Sequence, residues 1–405
     1  MSQVAETWID RAAAMRLCMA FVADEQERAV RAGRMARSAV RAARLAAATD
    51  DAATMGIGED GLGFDSLARL DLVARLTRWL GLAATGVEDY LLIRPRLGDW
   101  ADLVAHHFAT VGPAAQIAFE TSGSSGAPRM VVHDRVTLDA EIAALRAALP
   151  ERAPSGRVLC AVSPRHLYGF LWGLLLPAAE GRVAIDLHGD APLRAVRDAR
   201  AGDLILATPF LWERLAMLGS VLPPGVLGVT SGSAAGPSTW QAAGTLGLEM
   251  LLDVYGATET GGIGLRRAAD APFDLLPHLQ GDAAGLHRRH DGTEVPLQDH
   301  LRWQDGARFR VTGRRDRVLQ VAGTNVNPRS VRETVLATGL VRDVAVRLDG
   351  ERLKAFVVLA DDVGQDVAEP QIRAALTRLP APARPDRFSF GTALPRTATG
   401  KLADW

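Results

Sequence analysis

Thr121-Ser122-Gly123-Ser124-Ser125-Gly126-Ala127-Pro128-Arg129 follows a mostly apolar run at 114–119 and precedes a helix pattern that begins at Thr137. Two glycines and four hydroxyls fall within six residues, between a predicted buried strand and a predicted helix. Glycine reaches backbone angles other residues avoid and lets the main chain approach a ligand closely. Successive backbone N–H groups in such a turn form an anion-binding concavity, to which hydroxyls add donors. Arg129 then closes the loop with a cation. The stretch reads as a phosphate cradle or as a flexible surface turn. Its spacing is not G-x-x-x-x-G-K-[ST], so mononucleotide binding through that loop is disfavoured.

Working outward, 405 residues suffice for two or three domains with sizeable cores. Apolar content of 48% and charged content of 23% are ordinary for a globular protein. The net charge of −1 gives no field that would favour nucleic acid or an acidic membrane. Cys18 and Cys160 are far apart and show no C-x-x-C spacing, which points to a reducing compartment and no metal cluster. The apolar stretch at 12–22 is short, interrupted by Arg16 and preceded by Glu6 and Asp10, unlike a signal peptide. The most apolar run, 171–179, falls well short of a membrane span. A cytoplasmic location is expected.

Residues 1–50 are Ala/Arg-rich and helix-favouring. Arg28, Arg31, Arg34, Arg37, Arg41 and Arg44 recur every three or four positions, which reads as a solvated helix face. In Gly61-Leu62-Gly63-Phe64-Asp65-Ser66-Leu67, Asp65 or Ser66 can cap a helix whose apolar face is predicted as Leu67, Leu70, Leu72, Val73 and Leu76. From 114 to 313, short apolar runs alternate with helix patterns, the signature of an α/β layer architecture. Strands are predicted at 157–162, 182–187, 204–207 and 226–230, and helices at 193–200 and 209–218. Beyond 313 a smaller α+β unit is predicted, with strands at 318–321, 341–347 and 353–359 and helices at 328–338 and 370–379. The charged joint Gly313-Arg314-Arg315-Asp316-Arg317 suits a hinge.

Tyr255-Gly256-Ala257-Thr258-Glu259-Thr260 follows an apolar run at 251–254 and offers an aromatic face, a glycine, a hydroxyl and a carboxylate at a strand end. Strand ends in open α/β sheets are where ligands bind. The carboxylate can hold a magnesium ion that bridges phosphates. Upstream, Ser231-Gly232-Ser233-Ala234-Ala235-Gly236 is a second small-residue turn, against which a flat ring could lie.

Thr-Ser-Gly-Ser-Ser-Gly-x-Pro, Tyr-Gly-x-Thr-Glu, Gly-Arg-x-Asp at 313–316 and Pro395-Arg396-Thr397-Ala398-Thr399-Gly400-Lys401 form an ordered series. Together they resemble the adenylate-forming superfamily of acyl-CoA synthetases, adenylation domains and luciferases. The short length, Arg165-His166-Leu167-Tyr168-Gly169-Phe170-Leu171-Trp172 and the Phe-Asp-Ser-Leu preface look most like the short bacterial 4-coumarate–CoA ligases associated with photoactive yellow protein. The Gly-x-Asp-Ser-Leu stretch itself resembles an acyl carrier protein, in which the serine carries phosphopantetheine; Ser66 is then either such a serine or only part of a helix start.

The resemblance implies an α/β fold with a large adenylate-forming core at 111–313, a small mobile α+β C-terminal domain at 314–405 and a helical carrier-protein-like N-terminal segment at 1–110. It implies ATP, Mg²⁺ and CoA as cofactors and a small carboxylic acid, aromatic and 4-coumarate-like, as substrate. A carrier protein is the alternative acceptor, and a non-catalytic nucleotide-binding protein the alternative from another class. Carried over by position, Thr121, Ser122, Gly123, Ser124, Ser125, Gly126 and Arg129 would wrap the ATP phosphates. Tyr255 would stack on adenine, Gly256 would belong to the same ATP site, Thr258 would contact phosphate and Glu259 would hold Mg²⁺. Asp299 falls where ribose is bound, without the usual preceding Thr-Gly. Arg314 would touch ribose or phosphate, and Asp316 would be the hinge. His166, Gly232, Ser233 and Ala234 would line the acyl pocket.

Lys401 would bridge the acid carboxylate and the α-phosphate. A cation between two anions that must meet lowers the barrier to their joining. Only two lysines, Lys354 and Lys401, stand among 46 basic residues, so a lysine at 401 answers a need for a compact point charge. Three departures from the family pattern stand out: Arg129 and Gln320 where lysine is common, and a carrier-like segment in place of the usual first subdomain.

Overall fold

The computed structural model describes residues 8–37, 40, 52–121, 129–149, 156–187, 194–282, 285–314, 319–321, 324–349, 352–397, 400 and 402–405. Ser122, Gly123, Ser124, Ser125, Gly126, Asp316 and Lys401 lie outside the described residues. The chain forms two compact units, one of 1–280 with 287–293, the other of 281–286 with 294–405.

The first unit opens with helices α1 (Arg11–Arg31), α2 (Ser66–Leu80), α3 (Glu88–Ile93) and α4 (Leu97–Val111). Asp65 caps α2, its Oδ1 accepting from the Ala68 N–H at 2.7 Å, and Ser66 is the first helical residue. The apolar face of α2 differs from the expected one. It buries Leu72, Val73, Leu76, Trp79 and Leu80, whereas Leu67 is 72% and Leu70 is 52% exposed. At 100° per residue, Leu70 falls on the side opposite Leu72. Of the arginine run, Arg28 pairs with Glu120 at 2.7 Å and Arg31 with Glu27 at 3.2 Å, while Arg34 and Arg37 are exposed.

A hairpin of β1 (Gln116–Glu120) and β2 (Met130–Asp134) follows, leading into α5 (Arg135–Ala148). Next come β3 (Val158–Cys160), α6 (Leu167–Phe170), a π-helical turn Leu171–Leu175, α7 (Leu176–Glu180), β4 (Ala184–Asp186) and α8 (Arg194–Arg197). Then follow β5 (Leu204–Ala207), α9 (Pro209–Ala216), β6 (Leu227–Thr230), α10 (Pro237–Leu246), β7 (Met250–Ala257), β8 (Gly261–Arg266) and β9 (Phe273–Leu275). The strands form a sheet in the order β9-β8-β7-β6-β5-β3-β4, parallel from β4 through β7 and antiparallel from β7 to β9.

Strand residues alternate between two cores, as the period of two requires. Leu204, Leu206, Leu227 and Val229 pack with α1, α2, α4, α5 and the helices after β3. Ile205, Ala207 and Leu251 pack with Trp212, Leu215, Ala243 and Leu246 of α9 and α10. Both faces are therefore covered, which explains why the central strands read as unbroken apolar runs. The N-terminal helices share one core with the sheet: Phe21 and Leu17 belong to the same cluster as Leu206 and Val229. Gly261 and Gly262 open the buried strand β8.

In the second unit, β10 (Asp299–Asp305) pairs with β11 (Arg308–Arg314), and Trp303 packs edge-on against Phe309 at 5.4 Å. A short hairpin of β12 (Leu319–Val321) and β13 (Thr324–Val326) precedes α11 (Pro328–Leu336). Strands β14 (Val341–Asp349), β15 (Arg352–Leu359) and β16 (Arg387–Phe390) make a three-stranded sheet with α12 (Gln365–Leu376) inserted before the last. Val331, Val335, Val344, Ala355, Ile372 and Leu376 form its core. Helix α12 begins five residues before the expected start at Pro370, with the proline inside it. The apolar stripe Ala368, Ile372, Leu376 extends the helix backward past the proline, which lacks an N–H and so gives up one i→i−4 bond.

Candidate active site

The β1–β2 hairpin ends in Thr121 and Arg129, the described residues on either side of the glycine-serine stretch. Ile117, Ala118 and Phe119 are buried, and the register runs from Gln116 opposite Asp134 to Glu120 opposite Met130. One step beyond, the Thr121 N–H donates to the Arg129 carbonyl at 2.8 Å, and the Arg129 N–H reaches the Thr121 hydroxyl oxygen at 3.3 Å. The ends of the candidate phosphate loop are thus fixed together, with Thr121 buried and Arg129 exposed. At the far end of β2, Asp134 caps α5 by accepting from the Thr137 N–H at 2.7 Å.

Thr258, Glu259 and Thr260 are the turn between β7 and β8, with Ala257 opposite Gly261. Its geometry is closed from within. The Ala257 N–H donates to the Thr260 hydroxyl oxygen at 3.0 Å, and that hydroxyl donates to the Gly261 carbonyl at 2.8 Å. Thr260 is buried, while Thr258 and Glu259 are half-buried. The strand that follows the first motif meets the second motif here: His133 Nε2–H on β2 donates to the Thr258 carbonyl at 2.7 Å. Burial lowers the His133 pKa, which favours the neutral ring. Tyr255 packs at 5.5 Å from the Phe273 ring. Gly256 cannot be anything larger, because a Cβ there would lie 2.2 Å from the Gly261 carbonyl oxygen.

Of the acyl-pocket candidates, Gly232, Ser233 and Ala234 lie in the turn after the C-terminal end of β6. The Ser231 hydroxyl donates to the Val254 carbonyl at 2.9 Å, tying the turn after β6 to β7. Gly232 has φ +89°, and Gly232, Ser233 and Ala234 are exposed on that turn. The Tyr168 hydroxyl donates to the Val229 carbonyl at 2.8 Å and so brings α6 to the same strand end. His166 is exposed at the start of α6, its carbonyl accepting from the Phe170 N–H at 2.8 Å.

In the second unit, Asp299 stands opposite Arg314 across the β10–β11 pair, so two candidate nucleotide contacts share one register position. The positions flanking Lys401 are tethered. Arg396 Nη1 donates to the Gly400 carbonyl at 2.8 Å, and the Ala403 N–H donates to the Pro395 carbonyl at 2.8 Å. Lys354, the other lysine, is buried; its Nζ donates to the Trp405 carbonyl at 2.8 Å and pairs with Asp404 at 2.7 Å.

No group of three or more His, Cys, Asp or Glu that could hold a metal occurs among the described residues. One carboxylate on a hydroxyl-bearing turn is nevertheless the donor set that suits Mg²⁺, which keeps its waters and binds through one or two carboxylates plus substrate phosphates. Glu259 fits. Burial pushes the Cys18 and Cys160 thiols up to about 12, which makes both inert as nucleophiles at neutral pH. No helix among the described residues is long and apolar enough to cross a membrane.

Two residues at this site escaped the sequence reading, His133 and Glu141. Glu141 lies on the buried face of α5 beside Thr137, Leu138, Ile142 and Leu145. A carboxylate among those apolar positions was the available signal.

Residues 114–286 match the family model of AMP-binding enzymes, and residues 333–401 match that of the AMP-binding enzyme C-terminal domain. A 4-coumarate–CoA ligase of Cereibacter sphaeroides is 46% identical over 403 residues, covering 98% of this chain and 97% of its own. A relative of the same name from Rhodobacter capsulatus is 45% identical over 358 residues, 86% of this chain and 91% of its own. ATP-bound MatB from Rhodopseudomonas palustris shares the fold, with a TM-score of 0.52 at 20% identity over 76% of this chain and 71% of that one. The likeness at 98% coverage runs through the N-terminal helices as well as both matched regions. With residues 114–286 and 333–401 matched and a relative 46% identical over 98% of it, the chain belongs to the AMP-binding enzyme family.

Proposed function

We propose that this chain is an ATP-dependent acid–CoA ligase that activates an aromatic, 4-coumarate-like acid. The observation that carries the reading is the 2.7 Å bond from His133 to the Thr258 carbonyl, which joins the turn containing Glu259 to the hairpin that ends at Thr121 and Arg129. The names of its full-length relatives support the acid and the acceptor.

In the first half-reaction an acid carboxylate oxygen attacks the α-phosphorus of ATP, and the bond to the bridging oxygen breaks to release pyrophosphate. In the second the CoA sulfur attacks the acyl carbon, loses its proton, and AMP departs. The loop at 121–129 holds the β- and γ-phosphates, and Tyr255 stacks on adenine. Glu259 holds Mg²⁺, which when bound screens the phosphate charge. Asp299 and Arg314 take the ribose, Gly232, Ser233 and Ala234 flank the flat acid together with His166, Asp316 is the hinge, and Lys401 sits between the two reacting anions. Acid-dependent ATP–pyrophosphate exchange with aryl, cinnamyl and fatty acids side by side tests the reading. Exchange driven by hydroxycinnamates is expected, and no exchange with any acid overturns it.

CoA, rather than the chain's own Ser66, is the acceptor in this reading. A carrier serine must travel with its module, yet the helices around Ser66 share a core with the catalytic sheet. Ser66→Ala is expected to keep CoA-thioester formation within about twofold, as for a surface substitution. Intact mass after co-expression with a phosphopantetheinyl transferase is expected to be unchanged, and gain of the arm would contradict CoA as the sole acceptor.

A further inference from the structure

Glu141 is 2% exposed and lies in no ion pair among the described residues. Its Oε1 accepts from the Gly262 N–H at 2.7 Å. The carboxyl also presses on the backbone just beyond the turn: a Cβ on Gly261 would lie 2.5 Å from Oε2, and one on Gly262 would lie 2.5 Å from Oε1. Burial raises its pKa to about 8, opposed by the Gly262 bond and the charge of Arg288. Burying a carboxyl is costly unless its hydrogen bonding is satisfied, and an apolar side chain on this face of α5 would avoid that cost. What the carboxyl supplies that an apolar group cannot is an acceptor fixed on the first residues of β8.

His133 grips the other side of the turn through the Thr258 carbonyl. The two anchors come from one continuous segment, β2 followed directly by α5, which is also the segment that follows the phosphate loop. We propose that Glu141 and His133 are positioning residues that hold the Thr258–Thr260 turn from its two sides, so that Glu259 and Thr258 are set for the magnesium nucleotide before it arrives. This rests on the role of Glu259 given above. The turn's internal bonds fix its own shape, while these two contacts fix where that shape sits relative to the phosphate hairpin. Small misplacements of a reacting constellation are expensive: a 1 Å shift can cost about 10²-fold.

Glu141→Met keeps length and volume but removes the acceptor; Glu141→Gln restores one; His133→Phe keeps the ring and removes the donor. Exchange kinetics are measured against MgATP, free Mg²⁺ and acid, alongside thiolation of supplied acyl-adenylate. Glu141→Met and His133→Phe are expected to lower kcat for exchange by about 10- to 100-fold, on the scale of such misplacement. They should also raise the Mg²⁺ concentration for half-maximal rate, leaving KM for the acid and thiolation of supplied adenylate near wild type. Glu141→Gln is expected to recover most of the loss.

Wild-type Mg²⁺ dependence in either disrupted variant overturns the proposal, as does equal loss in both half-reactions. If Glu141→Met does not fold, Glu141→Ala takes its place in the same readouts. Glu259→Gln separates this inference from the one beneath it. If that variant leaves the Mg²⁺ dependence unchanged, the assignment of Glu259 fails; if it shifts the dependence while Glu141→Met and His133→Phe do not, only the positioning role fails.

Discussion

Lys401→Ala is expected to lower acid-dependent ATP–pyrophosphate exchange by about 10²–10³-fold, the loss typical of removing one group aimed at developing charge in a transition state. Conversion of supplied acyl-adenylate to the thioester should stay within a fewfold of wild type. The asymmetry follows from what each step demands. In adenylation a carboxylate must approach a triphosphate, so a compact cation between them acts on charge that shifts as the new bond forms. In thiolation the nucleophile is a sulfur and the leaving group is AMP, and that bridging position has lost one of its anions. The sequence holds two lysines, and the other one, Lys354, is engaged with Asp404 and the Trp405 carbonyl. Lys401→Arg should recover only part of the loss, because a planar fork does not replace a point charge. Comparable loss in both half-reactions would remove Lys401 from the role assigned to it.

The main lines of the fold were legible because buried parallel strands have an unmistakable composition. Residues 204–207 and 227–230 are apolar at every position but Gly228 and Thr230, and both lie in the doubly covered sheet. Of the candidate site, Thr121 follows the end of β1 and Glu259 lies in the turn after β7, while Tyr255 stands within β7 near its end. Other features turned on three-dimensional phase. Leu67 and Leu70 look like helix-core residues until the rotation of α2 is fixed by Trp79 and Leu80. Glu141 and His133 lie outside every motif, and their work depends on β2 and α5 meeting the β7–β8 turn, 125 residues away in the case of His133 and Thr258. The N-terminal helices were legible as helices, but the core they share with the sheet was not, because local pattern says nothing about which larger surface a helix will share.

That shared surface has a test of its own, centred on Arg165. This arginine is 9% exposed and pairs at 2.7 Å with Glu25 of α1, which is 7% exposed. Its guanidinium also lies over the rings of Phe21 at 4.8 Å and Trp79 at 5.4 Å, so one residue of the loop ahead of α6 is enclosed by α1 and α2. Removing one partner of a buried pair is costly, about 3–5 kcal/mol, because the other charge stays behind. Here Arg28 at 3.8 Å and Arg75 at 3.7 Å still face Glu25, which places Arg165→Met toward the lower end, about 3 kcal/mol. Glu25→Leu strands Arg165 with Asp24 alone, at 4.0 Å, and should cost at least as much. The double variant leaves no charge of the pair behind and fills the space with apolar atoms, so it should be more stable than either single variant. Denaturant unfolding of all four proteins gives the coupling. Strong non-additivity is expected, whereas additivity within about 0.5 kcal/mol would mean that the pair does not bind the helices to the sheet. The same variants connect packing to chemistry, because Arg165 immediately precedes His166. If the N-terminal helices brace the acyl pocket, Arg165→Met should raise KM for the acid at temperatures well below its unfolding midpoint while KM for MgATP stays put. An unchanged acid KM would confine the helices to stability and leave the shape of the pocket to α6 and the ends of β5 and β6 alone.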